Sequence, residues 1–487
     1  MNKLFLILLP ALPLAFGVLI ALVKKAGDRT RSGLFIVALG VQALLTAAYL
    51  FMPDATLHLF SMTPTLTVEL GTDGVSRLFL GVTAAGFLLT GVFTLRYMRS
   101  NKLKATFYSC MLFTLSALVG MYLSKNLITM YLFFEAATLV SVPLVLHDRT
   151  EEASRAALKY LFYSIAGAFI ALLAIFILAL HTPSLDFAPG GMLNASNEHR
   201  TLIEVVVFLA CIGFGAKAGL YPLHGWLPTA HPTAPAPASA VLSGIIAKAG
   251  VLAILRLLFY VVGADFLRGS WVQYALTGLA LLTVFMGSMM AFREDLLKKR
   301  LAYSTVSQVS YILLGLFLMT ENSVAGGLMH LVFHACIKIC LFLCAGSIIS
   351  NLKLTRVSEL TGIGKSMPIT TLMFTIASLG LIGIPPSSGF VSKWYLALGS
   401  LDSGLPVISW LAPAILLVSA LLTAGYLLPI TVRGFFPGMD FPAPARSDEG
   451  TALMWLPISV LAVVSLLLGI FATPLTSWLL ALAGGIV

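Results

Sequence analysis

Ionisable side chains lie deep within apolar stretches of this sequence. Glu135 stands in the middle of the stretch 131–140, and it is the one acidic residue among twenty that falls deep inside such a stretch. Lys217 and Lys248 lie inside two later stretches. A charged side chain at membrane depth costs on the order of 2.5–3.5 kcal/mol by insertion scales. Several such residues together therefore indicate function.

Two histidines and a lysine recur at four-residue steps, namely His330, His334 and Lys338. This spacing places all three on one face of a helix. Two further candidates adjoin interruptions by proline and glycine. His224 lies within the first interruption, and Lys393 follows the second.

Lysines, histidines and a carboxylate in this arrangement suit proton transfer. A desolvated lysine changes its protonation readily, and a nearby carboxylate decides whether the lysine holds its proton. Histidine titrates near neutral pH and can pass protons between such sites. The sequence therefore predicts a pathway for protons or sodium. Its residues are Glu135, Lys217, Lys248, His334 and Lys393, with His224, His330 and Lys338 as further candidates.

Structural roles are the alternative for several of these side chains. Lys338 and Arg256 lie toward helix ends, from where a long side chain can extend to the interface. His330 alone could be a satisfied interior histidine, and His224 could cap backbone groups freed by the adjacent interruption. Glu135 and Lys217 differ, because neither can easily reach an interface from the middle of a stretch.

The elements that position these residues must be membrane helices. The chain has 487 residues, of which 59% are hydrophobic and only 10% charged, whereas soluble domains carry about 25% charged residues. Apolar runs of about 20 residues, long enough to cross a hydrocarbon core of about 30 Å, recur along the chain. We predict an all-α integral membrane protein with about fourteen spans. They are 3–23, 32–52, 75–96, 105–123, 126–146, 157–180, 201–221, 236–260, 272–292, 302–319, 324–350, 368–397, 408–432 and 453–476.

The net charge of +10 reflects topology and not a nucleic-acid partner. Twenty of the 30 Lys and Arg residues fall in the odd-numbered loops, from Lys24 through Arg446, and only five fall on the other side. Cytoplasmic loops carry such an excess. We therefore predict that the odd-numbered loops are cytoplasmic and that both termini lie outside. No transit peptide is visible, which favours the cytoplasmic membrane of a prokaryote.

Two predicted spans are interrupted by proline and glycine, over 219–237 and 383–389. Irregular backbone at membrane depth is tolerated only where it is buried in protein or lines a wet cavity. Each interruption falls in the fourth helix of a five-helix block, 105–260 and 272–432, which predicts two inverted repeats. The chain is then a single membrane domain over 1–487, with three helices in 1–104 before the repeats and a last helix at 453–476.

The sequence predicts no metal or cofactor site. Cys336, Cys340 and Cys344 lie at four-residue steps, a spacing that matches neither a zinc site nor an iron–sulfur site. Small apolar packing is the simpler role for them. Neither a nucleotide motif nor a ligand set for haem or flavin is present, so redox chemistry would belong to partner chains.

Four segments resemble the antiporter-like membrane subunits shared by respiratory complex I, energy-converting membrane-bound hydrogenases and Mrp sodium/proton antiporters. They are 221–237, which holds the first interruption, 299–308, 334–343 and 383–394. The resemblance covers nearly the whole chain. It implies that Glu135 and Lys217 form an ion pair, and that Lys248, His334 and Lys393 continue a polar axis at mid-membrane.

The resemblance also implies a role and partners. The chain would be the non-redox, ion-translocating subunit of an oxidoreductase complex related to an energy-converting hydrogenase or complex I. Iron–sulfur clusters, and a nickel–iron centre in a hydrogenase, would then be held by partner subunits. The partners would include further antiporter-like and small membrane subunits and peripheral electron-transfer subunits. The alternatives are an Mrp-type antiporter subunit without a redox partner, and a scaffold whose buried charges only hold helices together.

Overall fold

The structure, a computed structural model, describes residues 2–23, 27–63, 66–193, 198–438, 449 and 451–487. Lys24, Lys25 and Arg446, which contribute to the charge count of the loops, lie outside these residues. Across the described ranges, thirteen helices are long and apolar enough to cross a membrane. They are Asn2–Leu22, Asp28–Leu50, Gly74–Tyr97, Lys104–Tyr122, Leu127–Val145, Glu151–His181, Arg200–Ala218, Ala236–Val262, Trp271–Arg293, Leu297–Leu318, Glu321–Leu352, Ile408–Phe435 and Ala452–Ile470. The chain is a multi-pass, helical integral membrane protein.

Each of these helices overlaps one predicted span. The remaining prediction, 368–397, corresponds to two shorter helices, Pro368–Ile382 and Ser388–Leu401. The predicted last span, 453–476, is also divided, because the helix ends at Ile470 and another begins at Thr473. The count of fourteen crossings and the inverted repeats therefore stay predictions. The other short helices are Leu227–Thr233, Ala264–Leu267, Ile363–Ser366, the 3₁₀ turn Val357–Glu359 and Thr473–Gly484.

An antiparallel pair of strands was not predicted from the sequence. Thr56–Thr63 pairs with Leu66–Gly71 between the second and third long helices. The first strand is largely exposed, whereas the second buries Val68 and Leu70. Short strands beside long apolar runs give a weak pattern, which is why a loop was expected here.

Polar residues mark the starts of several long helices. Asp73 accepts a hydrogen bond from the Ser76 backbone, and Asn126 accepts one from the Thr129 backbone. Thr320 forms a reciprocal capping box with Ser323. Such caps satisfy amide groups that have no partner within the helix.

Helices are interrupted at both proline–glycine segments. Arg200–Ala218 ends at Gly219, whose φ of +83° suits glycine, and the chain resumes as Leu227–Thr233. Pro368–Ile382 ends in the same way at Gly383, with φ of +90°. The Trp226 indole inside the first interruption donates to the Ala216 carbonyl at 2.8 Å. This bond joins the two sides of the first break in the protein interior.

Three helices form the interior of the molecule. In Ala236–Val262, Leu297–Leu318 and Glu321–Leu352, the most apolar 18-residue window is 100%, 94% and 89% buried, respectively. The outer helices expose large apolar side chains, as Leu44 and Phe162 do. These three helices also carry polar residues, which their burial shields from lipid.

Candidate functional site

Lys217 lies at the end of the Arg200–Ala218 helix, just before the first interruption. Its side chain is buried, and its ammonium donates hydrogen bonds to Thr138 Oγ1 at 2.8 Å and to the Tyr160 hydroxyl at 2.7 Å. The ammonium also lies 4.8 Å from the Tyr160 ring centroid, a favourable cation–π distance. Two neighbouring helices therefore hold Lys217 through neutral oxygen atoms.

The network around Lys217 continues through hydroxyl groups. Tyr160 accepts from Lys217, so its own hydrogen is available to Ser141 Oγ, 2.7 Å away. Ser141 in turn donates to the Thr138 carbonyl at 2.9 Å. Each hydroxyl in this series of hydrogen bonds then has an acceptor, as a stable buried polar network requires.

Glu135 is half-buried and lies one turn before Thr138 on the same helix. It interacts electrostatically with Lys217. Within the described residues, however, no ion pair of 4.0 Å or less joins the two side chains, because the hydrogen bonds of Lys217 go to Thr138 and Tyr160. The pair implied by the resemblance is therefore not a direct contact in this structure.

Lys248 follows a π-helical segment, Leu242–Ile246. The wider turn leaves backbone carbonyls without their usual partners. The Lys248 ammonium donates to two of them, Ser243 O at 3.2 Å and Gly244 O at 2.5 Å. The side chain is fully enclosed, so the helix irregularity itself supplies the acceptors for this lysine.

The Leu297–Leu318 helix connects Lys248 with Lys338. The hydroxyls of Ser243 and Thr305 are 2.7 Å apart, and Thr305 donates to the Leu301 carbonyl at 2.9 Å. The same carbonyl accepts a hydrogen bond of 3.0 Å from the Lys338 ammonium. An unbroken series of hydrogen bonds therefore leads from Ser243, whose carbonyl binds Lys248, to Lys338.

Lys338 is buried and does not extend to an interface. Besides the Leu301 carbonyl, it donates to Ser304 Oγ at 2.7 Å. Ser304 also accepts from the Tyr426 hydroxyl at 2.7 Å. The structural alternative of a snorkelling lysine is wrong at this position.

His330 is bonded through both ring nitrogens. Nδ1 lies 2.9 Å from Ser392 Oγ, and Nε2 lies 3.1 Å from Gln308 Oε1. The Ser392 hydroxyl has a second acceptor, the Gly389 carbonyl at 3.2 Å. When His330 gains a proton, the hydroxyl can turn to that carbonyl and accept from the ring. This geometry accommodates both protonation states of His330.

Lys393 lies at the second interruption and is half-buried. Its ammonium donates to the carbonyls of Leu381 and Ile382, both at 2.7 Å. These are the last carbonyls of the Pro368–Ile382 helix, where the helix dipole is negative. The ammonium is 5.3 Å from the Tyr311 ring, which stacks on His330 with centroids 5.3 Å apart. Tyr311 therefore separates His330 from Lys393.

His334 is buried, and its ring stacks on His330 with centroids 5.9 Å apart. It interacts electrostatically with Lys248 and Lys338. Neither ring nitrogen has a hydrogen-bond partner in the described part of the chain. His334 thus lies among the other candidates with both nitrogens available to a proton carrier.

His224 and the group around Lys217 lie apart from the other candidates, which are linked by hydrogen bonds from Lys248 to Lys338 and by ring stacking from His334 through His330 to Tyr311. His224 is half-buried and stacks on Tyr221, with centroids 5.7 Å apart. The group around Lys217 is also separate from Lys248, although their helices pack closely at Gly250, where a Cβ would collide with the Phe214 carbonyl. The candidates therefore form two groups, one at Lys217 and one from Lys248 to Lys393.

Sequence reasoning missed the hydroxyl and amide partners. Tyr160 and Ser304 are buried and accept hydrogen bonds from lysines directly, and the buried Tyr426 donates to Ser304. A signal existed for one helix, because five polar residues occupy seven positions of an otherwise apolar span. They are Ser304, Thr305, Ser307, Gln308 and Ser310.

Arg256 corrects a sequence expectation. Its guanidinium is buried and binds the Asp73 carboxylate through two hydrogen bonds of 2.5 and 2.8 Å. The ring of Tyr260 lies 4.3 Å from the guanidinium. The side chain is therefore anchored to the start of the Gly74–Tyr97 helix, and the expectation that it snorkels to the interface is wrong.

In the described ranges, no group of three or more His, Cys, Asp or Glu side chains could hold a metal ion. All five cysteines are free. The polar groups described above are the candidate chemistry of this chain.

Residues 124–423 match the family model described as the NADH:quinone oxidoreductase/Mrp antiporter transmembrane region. The matched range includes Glu135, Lys217, Lys248, His334 and Lys393. The chain belongs to this family. The resemblance drawn from the four sequence segments is thereby confirmed, and the protein is an antiporter-like membrane subunit.

Relatives of this antiporter-like subunit occur in several branches of the family. It is 34% identical to NADH-quinone oxidoreductase subunit N of Desulforudis audaxviator, over 77% of this chain and 75% of the relative. It is 31% identical to hydrogenase-4 component B of Escherichia coli, over 81% of this chain and 60% of that longer protein. Its fold matches a chain of the Mrp complex from Dietzia sp. with a TM-score of 0.85 and 24% identity, covering 100% of this chain and 97% of the other.

Proposed function

We propose that this chain translocates protons, or sodium, as one subunit of a multi-subunit membrane complex. The observation that carries the proposal is the environment of four lysines, Lys217, Lys248, Lys338 and Lys393. Each ammonium donates only to hydroxyl or carbonyl oxygens, and none has a carboxylate within 4.0 Å in the described ranges.

This environment suits a group that gains and loses a proton. A buried ammonium without a direct counter-ion is costly, whereas hydroxyl and carbonyl groups can adjust to either protonation state. A charge that moves nearby, such as the one on Glu135, then decides whether Lys217 holds its proton. A purely structural lysine would be expected to carry a paired carboxylate, as Arg256 does.

The proposed pathway has two groups. Glu135 and Lys217 form the first, and Lys248, Lys338, His334, His330 and Lys393 form the second. No hydrogen bond among the described residues joins the two groups, although their helices pack together at Gly250. The step from Lys217 to Lys248 is therefore the place where the pathway can be opened or closed. His224 contributes least, because no hydrogen bond among the described residues joins its side chain to another candidate.

The parent complex is proposed to be a redox-driven pump related to energy-converting hydrogenase or complex I. Support comes from the names of two relatives, a subunit of NADH-quinone oxidoreductase and a hydrogenase component. Iron–sulfur clusters, and a nickel–iron centre in a hydrogenase, would belong to its partner subunits. The alternative is a subunit of an Mrp-type sodium/proton antiporter, since this chain shares the fold of a chain of an Mrp complex.

The membrane arrangement proposed here has fourteen crossings. The two shorter helices of 368–401 together supply the crossing beyond the thirteen long helices. Five crossings per block would invert the second repeat, 272–432, relative to the first, 105–260. Both termini would lie outside the cytoplasmic membrane of a prokaryotic cell. Cysteine labelling of single engineered sites in loops on either side tests this orientation.

Purification of the tagged chain in mild detergent tests the parent complex. Iron and hydrophilic subunits in the purified material would establish a redox-driven pump, with nickel selecting a hydrogenase. Only small hydrophobic subunits and no metal would establish the Mrp-type antiporter. For a redox-driven pump, the internal pH of vesicles that contain the complex should change when the electron donor is added. For an Mrp-type antiporter, it should change when sodium alone is added. Vesicles that respond to neither stimulus would overturn the proposed ion translocation.

A further inference from the structure

A basic cavity of about 460 Å³ lies outside the residues that match the family model. Three long helices begin at its wall, Asp28–Leu50, Lys104–Tyr122 and Ala452–Ile470, and a fourth, Gly74–Tyr97, ends there. The cavity is therefore formed where four membrane helices meet an interface, and none of the candidate pathway residues lines it.

Positive charge in the cavity exceeds negative charge. Arg29, Arg96, Arg99 and Lys104 line it, against a single acidic residue, Asp28. Asp28 is already bound, because its carboxylate lies 2.8 Å from the Lys104 ammonium. Three guanidinium groups remain without a carboxylate in the wall of the cavity.

The side chains of these three arginines have no partner among the residues that the structure describes. In the described part of the chain, the side chains of Arg29, Arg96 and Arg99 form no hydrogen bond and no ion pair. Arg96 Nε is also shielded from solvent and unpartnered. A buried donor without an acceptor costs roughly 1–3 kcal/mol, so an external acceptor at this position is favoured.

The backbone adds to the positive field. A helix N-terminus behaves as roughly half a positive charge and presents free amide groups, and three such termini border the cavity. Guanidinium groups and helix N-termini around one cavity favour the binding of an anion between them. Phosphate esters are anions that bind arginine through two parallel hydrogen bonds.

We propose that this cavity binds the phosphodiester headgroup of an anionic membrane phospholipid. Leu95 and Leu453, which also line it, provide apolar surface for the start of the acyl chains. The charge count of the loops predicts that this end of the helices faces the cytoplasm, where basic pockets between membrane helices meet anionic lipid. The lipid would hold the helices Asp28–Leu50, Gly74–Tyr97 and Lys104–Tyr122 against Ala452–Ile470.

Native mass spectrometry of the delipidated complex tests the proposal directly. Phosphatidylglycerol added in detergent should remain bound, whereas phosphatidylcholine at the same concentration should not. The double variant Arg96→Gln with Arg99→Gln should bind phosphatidylglycerol roughly 25-fold more weakly, at roughly fivefold for each basic residue near the membrane surface. The variant Arg96→Lys with Arg99→Lys, which keeps both charges, should retain most of the binding.

Arg293→Gln is the matched control, because Arg293 is an exposed arginine at the end of another helix and lies outside the cavity. Its phosphatidylglycerol binding should equal that of the wild type. The proposal would be overturned if the Arg96→Gln, Arg99→Gln double variant bound phosphatidylglycerol as tightly as the wild type does. It would also be overturned if the wild type bound phosphatidylcholine as tightly as phosphatidylglycerol. Inorganic phosphate that displaces the lipid and raises the unfolding temperature as much as the lipid would assign the cavity to a free anion instead.

Discussion

Lys217 donates a hydrogen bond of 2.7 Å to the hydroxyl of Tyr160, which is itself 2.7 Å from Ser141. The lysine is thus held by a neutral partner that can pass a hydrogen onward. Glu135 acts on it only at longer range. We therefore expect the charge state of Lys217 to depend both on this network and on the more distant Glu135 carboxylate.

Tyr160→Phe removes the acceptor and leaves Lys217 bonded to Thr138 alone. A hydrogen bond to a charged group contributes roughly 1.5–3 kcal/mol, so we expect the initial rate of ion translocation in reconstituted vesicles to fall by roughly 10- to 100-fold. Tyr163→Phe, a change to another tyrosine of the same helix that does not bond Lys217, should leave the rate unchanged. Equal rates for the two variants would remove Tyr160 from the pathway.

Ser304→Ala tests the link between Lys338 and Tyr426. Both side chains donate to Ser304 at 2.7 Å, so the variant leaves two buried donors short of an acceptor. We expect slower translocation and a destabilisation of roughly 1–3 kcal/mol. Ser310→Ala is the control, because Ser310 bonds only the Val306 carbonyl of its own helix. A rate loss of the same size in both variants would show that the effect is general to this helix.

Lys393→Met tests the second interruption. The change leaves the carbonyls of Leu381 and Ile382 without their shared donor and removes the last cation of the proposed pathway. Translocation should stop while the complex still assembles, which is measured by subunit stoichiometry after purification. Lys393→Arg, which keeps a fixed charge but does not readily release a proton, should fail as well. Normal transport by Lys393→Arg would mean that only the charge matters.

Asp73→Asn tests whether the buried pair with Arg256 is structural. Burial raises the pKa of Asp73, but the Arg256 charge and hydrogen bonds from Arg256 and Ser76 outweigh it and hold that pKa well below its usual range. The unfolded value is about 3.9. The pair therefore stabilises the fold fully above about pH 5, and this contribution declines as the pH falls below about 4 toward the lower folded pKa.

Leaving the Arg256 guanidinium unpaired should cost about 3–5 kcal/mol near neutral pH. Asp54→Asn is the control, because the Asp54 carboxylate pairs with Arg77 in an exposed position and such pairs contribute about 0–1 kcal/mol. Chemical unfolding in detergent micelles measures the free energy of unfolding of both variants. The difference in unfolding free energy between wild type and Asp73→Asn should become smaller below about pH 4. A loss of unfolding free energy in Asp73→Asn no larger than that in Asp54→Asn would contradict a structural role.

Much of the fold could be predicted because lipid imposes a simple rule. A run of about 20 apolar residues must become a helix at membrane depth, so the long helices could be placed within a few residues. The strands Thr56–Thr63 and Leu66–Gly71 escaped prediction, since no such rule acts outside the lipid. The division of 368–397 into two helices did follow from Pro385, Pro386 and the adjacent glycines.

The candidate site, like the fold, could be predicted from the sequence only in part. A charge such as Lys217 is conspicuous in an apolar run, so its position could be found from the sequence. Its partner Tyr160 could not, because a tyrosine in a membrane helix is common and the two residues are 57 positions apart. Arg256 was misjudged for the same reason: its partner, Asp73, is 183 positions away on another helix.

The most direct test of the central claim is ion translocation by the reconstituted complex carrying Lys217→Ala, followed with a pH-sensitive dye. Lys102→Ala, a change at an exposed loop lysine, is the matched control. The account predicts that Lys217→Ala assembles into the complex in normal amount but translocates no ions, whereas Lys102→Ala behaves as wild type. Normal translocation by Lys217→Ala would contradict the claim that this lysine carries the ion.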